Sequence, residues 1–360
     1  MTARASLTGP VLIVGAGLLG TSIGLALRRP GMDVLLRDVN PENIRTASGL
    51  GAGRAWDGQV PPQIVVVAVP PDFLGTEIIW ALSSCPASVV TDVGSVKTDP
   101  LHAVERHSPT RYLARYVGSH PMAGSERSGP LAASASLFDG RPWAITPHES
   151  ADPVAVDLVA KLVRVCGGTP VKLTPGEHDQ AVARTSHLPH LLAALVAGRL
   201  TDAPKDHLRL SGQGVRDVTR IAAGDPGLWG QIVSANAGAI GALLLELRDD
   251  LDTMVDAIGG GERGTVEALL GRGVAGTAAI PGKHGGPAQE VAALFVAVPD
   301  HPGELARLLA DAGDIGVNVE DLRIDHDPGR PVGLVELTVA DDRVEFLQES
   351  LEAREWTTHR

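Results

Sequence analysis

Chemistry-bearing residues cluster in a few short stretches of the chain. Gly15-Ala16-Gly17-Leu18-Leu19-Gly20 is a Gly-x-Gly-x-x-Gly turn, directly after the apolar run Val11-Leu12-Ile13-Val14 and before a helix-forming run that opens at Thr21. In such a turn the first glycine permits the strand-to-helix reversal. The second lets backbone approach a pyrophosphate, and the third lets helix and strand pack closely. The unpaired N–H groups of the helix start, aided by its dipole, then face the phosphates. A second apolar run, residues 32–38, ends in Asp38, about 20 residues past the glycines, where a carboxylate can hydrogen-bond adenosine ribose hydroxyls. The same glycines would also serve a plain βαβ turn; strand, turn, helix and acid in register favour the dinucleotide. Leu18 and Leu19 inside the turn, with Val69 and Pro70 where the apolar run 64–69 ends, complete the candidate cofactor contacts.

Two stretches sit where parallel strands should end. Gly94-Ser95-Val96-Lys97 follows the run 88–93, so Ser95 and Lys97 are placed to meet a nicotinamide and its partner at the carboxyl edge of an open sheet. Ser95 could instead cap a helix. Gly118-Ser119-His120-Pro121 ends another run, so His120 and Ser95 should project into one cleft. A neutral imidazole there can accept the proton of an alcohol whose hydride is leaving, although a loop-capping histidine would look the same.

Two more stretches carry ring nitrogens and guanidinium groups. Ser186-His187-Leu188-Pro189-His190 puts two histidines three apart on one helix face, and Pro189 frees the carbonyl of Thr185, implying a kink. No carboxylate or cysteine completes a ligand set at usual spacing, so hydrogen-bonding roles are expected and no metal. Arg216 and Arg220, four apart, put two positive charges on one helix face. Such pairs are common on surfaces, but an arginine fork also matches a carboxylate.

These residues must be positioned by a chain of 360 residues, long enough for two or three domains. Its net charge of −12 excludes general binding to nucleic acid or anionic membranes, and requires that a site for an anionic substrate be made locally positive, as the arginine pair would do. Aromatics are only 3%, so the core must rest on Val, Leu, Ile and Ala. No apolar run approaches the ~18–20 residues that span a bilayer, and no secretory signal is visible. Cys85 and Cys166, far apart and without C-x-x-C spacing, read as reduced thiols of a cytosolic protein.

Residues 1–174 alternate strand and helix, as in an α/β, Rossmann-type doubly wound sheet that the runs 116–120, 143–146 and 170–173 would extend. Residues 175–280 read as an all-helical domain. Its runs 191–197 and 237–247 are apolar on every face, so they should be buried, with excess surface left for a second copy. A Gly- and Pro-rich linker covers 281–290. Residues 291–360 run strand, helix, strand, strand, helix, strand, a small ferredoxin-like βαββαβ domain.

Taken together and in order, G-S-V-K at 94–97, S-H-P-M-A-G-S-E at 119–126, S-H-L-P-H at 186–190, and R-D-V-T-R-I-A with D-P-x-x-W at 216–229 resemble the prephenate dehydrogenase family, the prephenate/arogenate dehydrogenases of tyrosine biosynthesis. The similarity runs over roughly residues 10–285. It implies a homodimer built on the helical domain. It also implies that His120 and Ser95 meet the substrate's ring hydroxyl, that Arg220 grips a carboxylate, that His190 and Trp229 line the pocket, and that Glu126 borders its entrance. Ser186, Arg216 and Lys97 join the substrate-binding candidates. The reaction implied is NAD-dependent oxidative decarboxylation of prephenate to 4-hydroxyphenylpyruvate by a cytoplasmic, monofunctional enzyme. Asp38 favours NAD, because a 2′-phosphate beside it would meet repulsion of roughly a few kcal/mol, unless Arg37 and Arg45 offset the charge. The last segment, with Asp300-His301-Pro302-Gly303-Glu304-Leu305 and Gly316-Val317-Asn318-Val319, resembles an ACT domain, which implies an amino-acid effector such as tyrosine. The competing readings are arogenate dehydrogenase and a non-catalytic regulator sensing NAD and an amino acid; the latter would not need Ser95, His120 and Arg220 together.

Overall fold

The computed structural model describes residues 6–124, 127–280, 290–326 and 332–360. The chain forms two compact units, Met1–Thr253 and Met254–Arg360.

The first unit is built on a five-stranded parallel sheet of β1 (Val11–Val14), β2 (Val34–Arg37), β3 (Arg54–Ala55), β4 (Ile64–Val67) and β5 (Val89–Asp92), in the order β3-β2-β1-β4-β5. The runs VLIV, VLL and IVVV are buried to within 1% exposure, as parallel strands covered on both faces must be. One face packs on the helices Leu18–Arg28 and Pro153–Val165, the other on Pro71–Ser84 and Thr98–His107, which makes the sheet doubly wound.

The later strands do not simply extend that sheet. β6 (Gly118–Pro121), β7 (Pro142–Thr146) and β8 (Thr169–Lys172) form a sheet of their own, in which β6 runs antiparallel to β7 and β7 parallel to β8. A single parallel bridge, Val90 to Tyr116, ties it to the edge at β5. Among its described residues the connection from β6 to β7 carries only the 3₁₀ turn Pro130–Ala132 and no crossover helix of the kind a parallel return requires, so β7 comes back antiparallel.

From Pro175 the chain is helical: Pro175–Val182, Leu188–Gly198, Gln213–Thr219, Pro226–Ala235 and Ala237–Gly260 are its main helices. The expectation that the apolar run 191–197 is buried fails for the single chain. Its helix buries only His190 and Ala193, while Leu195 is 61% exposed. Likewise Ala237–Gly260 buries Ile240 and Leu243 but leaves Leu245 exposed. The helix Arg263–Ala278 falls within the stretch read as all-helical, although its glycines argue against helix by propensity alone. Residues 281–289 of the expected linker lie outside the described residues. Among those described, no single helix is long and apolar enough to cross a membrane.

In the second unit β9 (Val291–Pro299), β10 (Asp321–His326), β11 (Val332–Ala340) and β12 (Thr357–His359) form an antiparallel sheet in the order β10-β11-β9-β12. The helices Glu304–Asp314 and Asp341–Glu352 close a core of Leu294, Val296, Leu308, Leu337, Leu347 and Trp356. This is the ferredoxin-like βαββαβ topology that the pattern of the last 70 or so residues predicts.

Candidate active site

The glycine turn leaves β1 and enters the helix Leu18–Arg28. Gly15 holds φ +98°, and a Cβ there would lie 2.3 Å from the Ala68 carbonyl oxygen and 3.1 Å from Val69 Cγ1. A Cβ on Gly20 would lie 1.9 Å from the Gly15 oxygen. Gly17, in contrast, faces open space within 4 Å, directly ahead of the free N–H groups of the helix start that Leu18 and Leu19 occupy. The fold therefore demands Gly15 and Gly20 for its own closure, while nothing in the packing demands a glycine at position 17. Pro70, the N-cap of the helix Pro71–Ser84, ends the neighbouring β4 loop.

Asp38 braces this turn. Its carboxylate accepts from Ala16 N–H and Asn40 N–H, both at 2.7 Å, so it is anchored at the β2 edge with lone pairs to spare for a ribose. The two cations that could have neutralised it are engaged elsewhere. Arg37 donates to Glu77 at 2.5 Å and lies 3.8 Å over the Trp80 ring, and Arg45 pairs with Glu42.

The Gly94–Lys97 turn is stapled to Asp92 at the end of β5. Gly94 N–H and Tyr116 OH donate to that carboxylate at 2.9 and 3.0 Å, and Lys97 pairs with it. Lys97 also donates to the Ser119 carbonyl at 2.8 Å, and its side chain is fully buried. Burial pushes its pKa down against the pull of Asp92 and raises that of Tyr116 well above the phenolic range. The expectation that Lys97 binds substrate is thereby corrected: its ammonium is spent inside the protein, where it ties the Ser95 turn to the strand of His120. Ser95 is half-buried, and it is not the cap of the following helix. That helix, Thr98–His107, is capped by Asp179, whose carboxylate accepts from Lys97 N–H and Thr98 N–H, each at 2.8 Å.

His120 stands on β6, half-buried, with Nδ1 3.0 Å from His178 Nε2 and the two rings edge-to-face. His178 Nδ1 lies 2.8 Å from Asp179 Oδ1. Burial, then the neighbouring His178, Lys97 and His187, hold the His120 pKa well below the ordinary imidazole value. Burial also lowers that of His178 against its bond to Asp179. For Asp179, burial works upward, but hydrogen bonds from His178, Thr98 and Lys97 outweigh it and keep the carboxyl below its ordinary value. His178 and Asp179 were missed in the sequence because they follow the capping box of Thr174 and Glu177, which reads as a helix start and nothing more. A His-Asp pair in that second turn is the only local signal, and its partners lie 58 and 81–82 residues away.

Pro189 does not simply kink the next helix. The residues ahead of it, Ala183–His187, form a π turn, and Leu188–Gly198 resumes as α-helix. Such bulges recur at functional sites. It turns His187 and His190 inward, 1% and 7% exposed, and leaves Ser186 exposed. His190 stacks on Trp229 with ring centroids 3.5 Å apart, and His187 meets the same indole edge-on at 6.1 Å. His187 Nδ1 faces Asn236 Nδ2 at 3.2 Å, and that amide also donates to the Asp179 carbonyl at 2.8 Å. His120 and His178 thus form one ring pair and His187, Trp229 and His190 a second group, bridged by Asn236 through the Asp179 carbonyl and His187.

The helix carrying Arg216 ends at Thr219, and Arg220 opens a 3₁₀ turn, so the two arginines do not share one regular helix face as expected. Both are exposed, and neither forms an ion pair with any described residue. Arg220 opens the turn Arg220–Ala223, which packs against the helix Leu188–Gly198 that carries His190. Glu126 lies outside the described residues.

A family model described as the nucleotide-binding domain of prephenate dehydrogenase matches residues 23–180, and one described as its dimerization domain matches residues 174–271. The probable prephenate dehydrogenase NovF of Streptomyces niveus is 35% identical over 356 residues, 96% of this chain and 98% of its own. The prephenate dehydrogenase of Bacillus subtilis (strain 168) is 27% identical over 361 residues, 96% of each chain. A crystal structure of prephenate dehydrogenase from Aquifex aeolicus, in complex with hydroxyphenyl propionate and NAD+, matches with TM-score 0.68 at 28% identity, covering 76% of this chain and 98% of that one. Synechocystis arogenate dehydrogenase matches with TM-score 0.60 at 27% identity, covering 73% of this chain and 96% of its own. With a relative of that identity matched almost end to end, and both family models in the expected order, the chain belongs to the prephenate dehydrogenase family.

Proposed function

We propose that this chain is an NAD-dependent prephenate dehydrogenase, which oxidatively decarboxylates prephenate to 4-hydroxyphenylpyruvate. The observation that carries the reading is His120, a half-buried imidazole held neutral at a strand end beside the Ser95 turn, in a chain of this family. The turn at Gly17 and the Asp38 carboxylate would hold the pyrophosphate and ribose of NAD, which when bound would supply the hydride acceptor. His120 accepts the hydrogen bond of the ring hydroxyl and draws its proton as the carbinol carbon gives up hydride. The ring carboxylate leaves as CO₂, its bonding pair completes the aromatic ring, and the proton returns to the new phenol oxygen. Ser95 orients the same hydroxyl, and Arg220, with Arg216 near it in sequence, supplies the local positive charge that a dianion needs in an acidic protein. His190, Trp229, Ser186 and Glu126 are the remaining candidates for the pocket and its entrance.

The division we favour is 1–174 for NAD, 175–280 for substrate and dimerisation, 281–290 as linker and 291–360 as an ACT domain that binds an effector such as tyrosine. The exposed Leu195, Leu245 and their neighbours support a homodimer, since apolar surface of that extent favours burial. We place the enzyme in the cytoplasm. The likeness to an arogenate dehydrogenase keeps the amino analogue as the second reading of substrate. Initial rates with prephenate and arogenate, each with NAD and NADP, test all of this. NADH formed from prephenate is expected, and His120→Asn should lower kcat by roughly 10²–10⁴-fold with KM little changed. Parent enzyme that turns over neither substrate would end the proposal.

A further inference from the structure

The hydrogen bonds behind His120 leave one consistent placement of protons. Asp179 Oδ1 and Oδ2 accept from the backbone N–H groups of Lys97 and Thr98, and hydrogen bonds keep this carboxyl in its ionised form. An ionised carboxylate can only accept, so the contact at 2.8 Å requires a proton on His178 Nδ1. His178 is fully buried and held neutral, which leaves a lone pair on its Nε2. That lone pair faces His120 Nδ1 at 3.0 Å, so the proton between them belongs to His120. Nε2 is then the one ring nitrogen of His120 able to accept from an alcohol.

The structure assigns His178 and Asp179 as positioning residues that fix the ring tautomer of His120, the carboxylate also capping the helix behind Ser95 so that base and hydroxyl partner are aligned by a single group. The assignment rests on the proposed role of His120. The logic is that of a catalytic histidine whose orienting carboxylate lies one residue further out, where a wrong tautomer can cost about 10⁴ in rate. The groups facing the relay are Lys97 and Asp92 from the β5 end and His187 from the π turn. A proton added to His178 would make it donate from both nitrogens. The shared proton would then point at His120 Nδ1 and move the His120 N–H to Nε2, where it blocks acceptance.

Nitrogen-15 NMR of the full chain with labelled histidine tests the assignment without turnover: His120 should be protonated at Nδ1 and bare at Nε2. In His178→Leu, kcat should fall at least tenfold while KM for prephenate and for NAD stays within about twofold, as expected for lost orientation rather than lost binding. In His178→Gln, whose amide can accept from His120 and donate to Asp179, kcat should return to within a few-fold of the parent. An Nε2–H tautomer for His120 in the parent, or parent-like kcat in His178→Leu, overturns the assignment. Equal losses in the Leu and Gln variants, tracking a lower melting temperature, also overturn it. Parent enzyme inactive on prephenate would remove the proposed function, and the NMR result would still decide the tautomer.

Discussion

His187 is a source of acid sensitivity whose size can be worked out. The Asn236 amide is oriented by its bond to the Asp179 carbonyl, so its other N–H points at His187 Nδ1 and holds that nitrogen as an acceptor. Burial pushes the His187 pKa down to about 4, against an ordinary value of 6.5. The folded pKa lies below the unfolded one, so the stabilisation is complete above about pH 6.5 and is lost as pH falls from there toward 4. A shift of that size corresponds to about 3 kcal/mol at the acid end of the window. His120 and His178 are displaced in the same direction and add to the slope. Thermal unfolding followed from pH 7.5 to pH 4.5 should show stability falling as pH drops below about 6.5, ahead of the range where most carboxylates protonate. Each proton that the unfolded chain takes up and the folded chain refuses steepens the fall by about 1.4 kcal/mol per pH unit. In His187→Gln, which can still accept from Asn236 but cannot titrate, the slope between pH 6.5 and 5 should decrease by close to that amount. Parallel curves for parent and variant would show that His187 is not charged on unfolding in that window, and the argument from its burial would fail.

Three further outcomes follow from the site. Lys97→Met strands the Asp92 carboxylate with only Tyr116 and Gly94 as donors, and should cost about 3–5 kcal/mol in chemical denaturation; a double variant with Asp92→Asn should recover part of it. Loss below about 1 kcal/mol would mean that Lys97 is not held as an ion pair. Gly15→Ala would place a methyl 2.3 Å from the Ala68 oxygen at φ +98°, so calorimetric NAD affinity should fall more than tenfold; unchanged affinity would separate this turn from the nucleotide. Arg220→Gln should raise KM for prephenate by roughly 10–100-fold with kcat nearly kept, the loss of a charged hydrogen bond of about 1.5–3 kcal/mol. A fall in kcat alone would remove Arg220 as the carboxylate anchor.

What could be read from the sequence was what the backbone dictates locally. The turn at Gly15–Gly20, the fully buried runs of β1, β2 and β4, and the strand end that carries His120 all follow from steric demands or apolar runs within a few residues. Lys97 was legible as a cation near the site but not as a buried one, since Asp92 and the Ser119 carbonyl that engulf it are assembled by the meeting of β5 and β6. The direction of β6 against β7 depends on a connection whose path no local propensity sets. The helix Leu188–Gly198 reads as buried because it is apolar all round, yet one chain offers it too little to pack against.

That Ser95 does not cap the helix Thr98–His107 points to how the site is held together. A local cap would have left the helix Thr98–His107 independent of everything beyond residue 175. With the cap supplied by Asp179, the N–H groups at the start of that helix are satisfied only when the helix Pro175–Val182 is docked, and the same carboxylate is then in contact with His178. Asn236 adds a third element by bonding the Asp179 carbonyl and His187 together. Each of these buried polar groups would cost about 1–3 kcal/mol if left unpaired, so a partly docked helical domain pays the penalty several times over. The environment that holds His120 neutral is therefore a property of β6 and the helix Pro175–Val182 together. Neither element alone would have it, since His120 stands on β6 and its ring partner His178 lies on that helix.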